Sequence, residues 1–157
     1  TPLHGKILLD VSEARGLIEP AAARMAAKNA KASDVAVIEE AYERMKVANP
    51  QTLQASQADV DFHIAVFKAS HNMLWIKFGQ VLSFTLLQLF KSSALQEKYI
   101  EGLPMHKKIL QAIRLRDEDD AEKNMKILTA HAASSLKTIV EAHLKSPSSG
   151  KKAVRSR

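Results

Sequence analysis

Residues 59–67 read Asp-Val-Asp-Phe-His-Ile-Ala-Val-Phe, and the spacing within them decides what kind of fold this is. Phe62, Val66 and Ala69 recur at helical intervals with Ala65 beside them, which predicts an α-helix with one face turned to a core. Asp59 and His63 fall on or beside that same face, one turn apart. A carboxylate and an imidazole on a buried face are costly unless something binds them. Fold and function therefore meet on one helix.

Working outward, the flanking sequence repeats the helical pattern and never shows strand alternation. Leu8, Val11, Arg15, Ile18, Ala22 and Met25 follow the inward spacing of a bundle helix over Leu8 to Lys28, with a kink expected at Pro20. Ser33 is the expected N-cap of a second helix ending near Asn49-Pro50. A third helix starts between Thr52 and Ser56 and carries the quoted stretch. His71-Asn72 reads as a turn, and a fourth helix runs from Met73 to Phe90. Residues 92–102 are polar and indefinite, and Pro104 suits the first turn of a fifth helix reaching Arg116. The acidic run Asp117 to Asp120 favours a helix N-terminus and opens a last helix to about Leu144. The expected architecture is all-α, an antiparallel bundle of about six helices.

Composition agrees. A chain of 157 residues, 46% apolar and 25% charged, suits one domain with a real core. Five glycines and five prolines are few for its length, which favours helix. With no cysteine, disulfides and thiolate metal sites are excluded, and any metal must use His, Asp or Glu. No apolar run reaches the length of a membrane span and no signal peptide is visible, so a cytoplasmic location is expected. The net charge of +6 is concentrated at one end: Lys145 onward carries five basic residues and no acidic one, leaving 18 basic against 17 acidic elsewhere. Residues 146–157 are expected to be a disordered basic tail, and residues 1–145 the domain. The domain has no basic face with which to read DNA by itself.

Four helices carry a polar residue inside an apolar stripe: Arg15 on the first, Asp59 and His63 on the third, His106 on the fifth and His131 on the last. A bundle brings such stripes to a common axis. Asp59 and His63 can supply two ligands to one ion from successive turns, with His106 and His131 to complete the set. Imidazole and carboxylate donors suit Zn²⁺ or Ni²⁺. Arg15 offers a planar fork that pairs bidentately with a carboxylate, so a small organic acid is the expected ligand, held by Arg15, His63, His106 and His131. Three other readings stay open at this level: a metal-free polar network, a helical interaction module, and a metal-dependent enzyme. Against the enzyme stand the absence of HExxH, GxSxG, a phosphate-binding glycine loop and a cysteine nucleophile, so no catalytic residue is assigned.

Three stretches carry a family resemblance. EARGLIEPAAARMAA (Glu13 to Ala27), DVDFHIAVFKASHN (Asp59 to Asn72) and HKKILQAIRLRDEDDAEKNM (His106 to Met125) resemble the landmarks of the FCD domain, in the right order, within a likeness covering Leu8 to Leu144. That domain is the C-terminal effector-binding half of FadR-type regulators in the GntR family, and the subgroup it looks most like regulates sugar-acid catabolism, as galactonate repressors do. The resemblance implies an effector-sensing domain for a small carboxylate, a homodimer, and operator DNA read by an N-terminal winged helix-turn-helix that this chain lacks. A start at Thr1 suggests a truncated or trimmed product. The family's metal ligands map onto Asp59, His63 and His106, and its effector arginine onto Arg15. Its fourth ligand, a histidine three residues after the methionine of the last helix, is replaced: Met125 leads to Leu128. Either His131, one turn on, substitutes, or the site holds metal weakly or not at all.

Overall fold

The computed structural model describes residues 2–89 and 93–145, with side chains at 5–83, 87 and 99–142. The basic tail expected over residues 146–157 lies outside the described residues. Six helices account for nearly all that is described: α1 (Pro2–Asn29), α2 (Ala32–Val47), α3 (Leu53–Ala69), α4 (Met73–Leu89), α5 (Ser93–Arg114) and α6 (Glu118–Lys145). No strand occurs among the described residues. The all-α architecture matches the expectation from spacing.

Cross-links between helix ends show the antiparallel packing. Arg44 of α2 pairs with Asp61 of α3 at 2.8 Å, while Asp34 near the start of α2 meets His71 just past the end of α3 at 2.6 Å. Arg24 near the end of α1 bridges Asp119 and Glu122 at the start of α6, and Gly5 at the opposite end of α1 lies against Val140. These two long helices form one side of the bundle, and α3 is buried on most of its circumference between α1, α2 and α4. The main core joins Ile38 and Met45 of α2, Phe62 of α3, Ile109 and Ile113 of α5 and Met125 of α6. A smaller cluster of Ala22, Phe67 and Leu82 sits under α4. There Gly79 leaves room for the Phe67 side chain: a Cβ at that position would lie 2.5 Å from its ring.

Two turns are set by residues in the left-handed region. His71 (φ 53°) closes α3 and Arg116 (φ 57°) closes α5. At the second, Arg116 N–H donates to the Ile113 carbonyl and Asp117 N–H to that of Ala112, a Schellman pattern that satisfies orphan carbonyls. The Arg116 guanidinium also donates to the Lys28 and Ala30 carbonyls at the end of α1.

Four local expectations are corrected. The N-cap of α2 is Lys31, not Ser33, because Asp34 accepts the Lys31 backbone N–H at 2.8 Å and caps the helix from its third position. Helix α5 begins at Ser93, so Pro104 lies inside it instead of at its first turn. Proline has no N–H to give the Ile100 carbonyl, but burial of Ile109, Leu110 and Ile113 on one face outweighs that loss. Helix α1 starts at Pro2 instead of near Leu8, with Pro20 inside it as expected. Its buried line also differs: Ser12, Arg15, Glu19, Ala22, Ala23, Ala26 and Ala30 face inward, while Leu8, Val11, Ile18 and Met25 are only half-buried.

Candidate functional site

The rotation of α1 places two ionisable side chains, Arg15 and Glu19, against α3. They sit four residues apart, the spacing at which helical side chains meet, and Arg15 Nε donates to Glu19 Oε1 at 2.6 Å with a second contact from Nη2 at 3.5 Å. Glu19 is only 1% exposed. Its other oxygen lies 2.6 Å from His63 Nδ1, with the ring N–H turned off the line between them. Burial raises the Glu19 pKa, but Arg15 and His63 outweigh it and hold the carboxyl at about 2.

The other edge of His63 faces Asp59 and His106. His63 Nε2 is 3.5 Å from Asp59 Oδ1 and 3.3 Å from His106 Nε2, and His106 Nε2 is 2.9 Å from that same Asp59 oxygen. The remaining nitrogen of His106, Nδ1, is 2.7 Å from the Gly102 carbonyl one turn earlier. A carbonyl only accepts, so Nδ1 carries a proton, and Nε2 is the nitrogen turned toward Asp59 and His63. One atom from each of Asp59, His63 and His106 thus lies within 4.8 Å of the others. The ring of Phe62 packs edge-on against both imidazoles, with centroids 4.9 Å from His106 and 5.8 Å from His63, which limits their rotation.

Electrostatics at this cluster favour a positive charge between the acceptors. Burial alone would lower the His63 pKa, yet Glu19 and Asp59 raise it to about 9. Burial likewise opposes ionisation of Asp59, but hydrogen bonds from His106 and His63 hold it far below the ordinary carboxylate range. Arg15 is buried too, and Glu19 keeps it firmly protonated.

Beside the cluster lies a cavity of about 60 Å³, lined by all five sequence-predicted residues, Arg15, Asp59, His63, His106 and His131, with Tyr99, Leu128 and Ser135 among its other walls. The five are not equivalent. His131 is the most exposed at 26%, and its Nε2 lies 3.3 Å from Glu101 Oε2, apart from the three convergent acceptors. Leu128 contributes an apolar wall. Tyr99 is tied by its hydroxyl to the Met45 carbonyl at 2.8 Å, and burial pushes its pKa up. Sequence reading missed Glu19. The available signal was its position four residues after Arg15, a pair whose members the helical period places on one face.

The donor set fits a divalent transition metal: one carboxylate oxygen and two imidazole nitrogens, no thiolate, and an open side toward the cavity. The outer nitrogen of each imidazole faces an acceptor, Glu19 for His63 and the Gly102 carbonyl for His106, the usual outer arrangement of ligating histidines.

Comparison with known proteins adds independent findings. The FCD domain profile matches residues 10–131. The chain is 34% identical to the galactonate operon transcriptional repressor of Escherichia coli K12 over 137 residues, which is 85% of this chain and 59% of that protein. It is 37% identical to the Glc operon transcriptional activator of the same organism over 89 residues, 54% of this chain and 32% of that protein. In structure it is similar to a GntR protein of Streptococcus agalactiae, with TM-score 0.70 and 22% identity, covering 83% of this chain and 59% of that one. The chain therefore spans little more than half the length of the galactonate repressor.

Proposed function

The chain belongs to the FCD domain family of GntR-type transcriptional regulators, and on that premise we propose that it is an effector-sensing domain, which binds a small carboxylic acid beside a divalent metal. The observation that carries this reading is the convergence of Asp59, His63 and His106 next to a cavity that also holds Arg15. The relatives it matches are transcriptional regulators, not enzymes, which favours sensing over catalysis.

Charge supports an anion. With Arg15 cationic, Glu19 and Asp59 ionised, and both imidazoles acting as neutral ligands to a divalent ion, the site carries one net positive charge. A carboxylate neutralises it, and Arg15 supplies planar donors to orient it. The metal, when bound, supplies a Lewis-acid position for one carboxylate or hydroxyl oxygen. In this reading His131, near Glu101 at the more exposed wall, meets the rest of the acid.

Size narrows the class. A cavity of about 60 Å³ has room for roughly four to six water-sized groups. A two- or three-carbon acid fits it directly. A sugar acid, the ligand class suggested by the galactonate repressor's name, requires the wall formed by α5 and α6 to move outward. Such movement is the means by which a ligand could bias operator binding, since it acts only through different affinities for two arrangements. The operator-reading winged helix would belong to the part of the relatives that this chain does not match, and a homodimer would use the exposed apolar residues Leu74, Phe78 and Val81 of α4. No helix among the described residues is long and apolar enough to cross a membrane, in keeping with a cytoplasmic regulator.

The test is a thermal-shift screen of short hydroxy acids, sugar acids and dicarboxylates, with and without Zn²⁺ or Ni²⁺. A ligand at 100 times its Kd should add about 2.7 kcal/mol of stability. Failure of every acid to shift the transition, with metal and without, would remove the effector reading.

A further inference from the structure

Glu19 is nearly inaccessible to solvent, and the metal-ligand set does not include it. It is nonetheless the group on which both halves of the site rest. One oxygen accepts from Arg15 Nε at 2.6 Å, and the other lies 2.6 Å from His63 Nδ1. We propose that Glu19 is the positioning residue of this site: it fixes the proton of His63 on Nδ1, so that Nε2 presents its lone pair beside Asp59 and His106, and it holds Arg15 at the cavity. This inference rests on the metal reading above.

The argument is one of donors and acceptors. An ionised carboxylate can only accept, so a ring nitrogen at 2.6 Å from it must carry the proton. A neutral imidazole has one N–H, and placing it on Nδ1 frees Nε2 to ligate. Nε2 is the edge that faces the other two acceptors.

Replacement by glutamine, similar in shape, makes the prediction sharp. The arginine never surrenders its proton, so the amide oxygen turns to Arg15 and the amide NH₂ faces His63 Nδ1. Two donors cannot face each other, so Nδ1 becomes the acceptor and the ring proton moves to Nε2. That nitrogen then no longer offers a lone pair to metal.

The experiment measures Zn²⁺ affinity of the whole chain by competition with a chelator, for the wild type, Glu19→Gln and Glu19→Asp. Long-range ¹H–¹⁵N spectra of the Zn²⁺-loaded wild type report which His63 nitrogen ligates. Glu19→Gln should weaken Zn²⁺ binding about 10- to 100-fold, with Glu19→Asp recovering part of the loss. In the wild type, His63 should ligate through Nε2 with Nδ1 protonated. Normal Zn²⁺ uptake by the wild type, with Glu19→Gln within about twofold of it, overturns this inference and leaves the metal reading standing. Ligation of His63 through Nδ1 overturns it as well, and that measurement needs no variant should Glu19→Gln fail to fold. A wild type that takes up no Zn²⁺ overturns the metal reading and this inference together.

Discussion

Titrating His63 should weaken the metal-free fold on the alkaline side, and the size of the effect follows from its two buried carboxylate neighbours. Its pKa is raised from 6.5 to about 9 by Glu19 and Asp59 against the opposing effect of burial. A group whose folded pKa lies above its unfolded value stabilises the fold fully below the unfolded value, here 6.5, and loses that contribution as pH rises through the folded value, here about 9. At 1.36 kcal/mol per pH unit, the interval corresponds to ~3 kcal/mol. Glu19 behaves in the opposite sense: depressed from 4.5 to about 2, it contributes above 4.5 and its contribution disappears as pH falls through about 2. The two effects describe largely one contact and are not summed. Chelator-treated protein should therefore be most stable between about pH 4.5 and pH 6.5. Urea unfolding followed by circular dichroism at about pH 6 and about pH 9.5 should show a loss of ~3 kcal/mol at the higher pH. His63→Asn should flatten this limb whatever its effect on absolute stability. Wild-type stability that stays level across that interval, or an equal loss in His63→Asn, would refute the reasoning.

Three further outcomes are expected. Arg15→Ala should lose the thermal shift produced by carboxylates while staying folded, because Glu19 keeps His63 as a close partner at 2.6 Å; a retained shift would take Arg15 out of the ligand site. Leu128→His puts an imidazole into the cavity wall where the family pattern has its fourth ligand, and should tighten Zn²⁺ binding at least roughly tenfold by calorimetry. Unchanged affinity would mean that the α6 backbone holds this position out of reach. Gly79→Ala forces a methyl group into the Phe67 ring and should cost about 1–3 kcal/mol in urea melts, while a neutral result would show that α4 can move away from α3 at little cost.

Helical content, the turn at His71-Asn72 and the one-turn spacing of Asp59 and His63 were all legible in the amino-acid order, because each depends on a local period or on a few adjacent residues. Thiolate chemistry was excluded by composition alone. The period also showed which residues share a face of α1, but not how far that helix turns about its axis. Two stripes run through it, one of Leu8, Val11, Ile18 and Met25 and one of Ser12, Glu19 and Ala26, and both pass through Arg15 and Ala22. Packing of α1 against α3 and α6 buried the second more deeply, and with it Glu19.

The start of α5 was hidden for a similar reason. Pro104 is a local signal for a helix N-terminus, and only burial of the α5 face against the rest of the bundle overrides it. His131 shared the sequence spacing of a ligand, yet its ring stands beside Glu101 while His106 meets Asp59. That separation is set by the relative placement of α5 and α6. Sequence by itself determined which side chains could bond within a turn, since a helix fixes its own neighbours. Tertiary structure decided which acceptors share one cavity, because distances between helices depend on how every buried face fits at once.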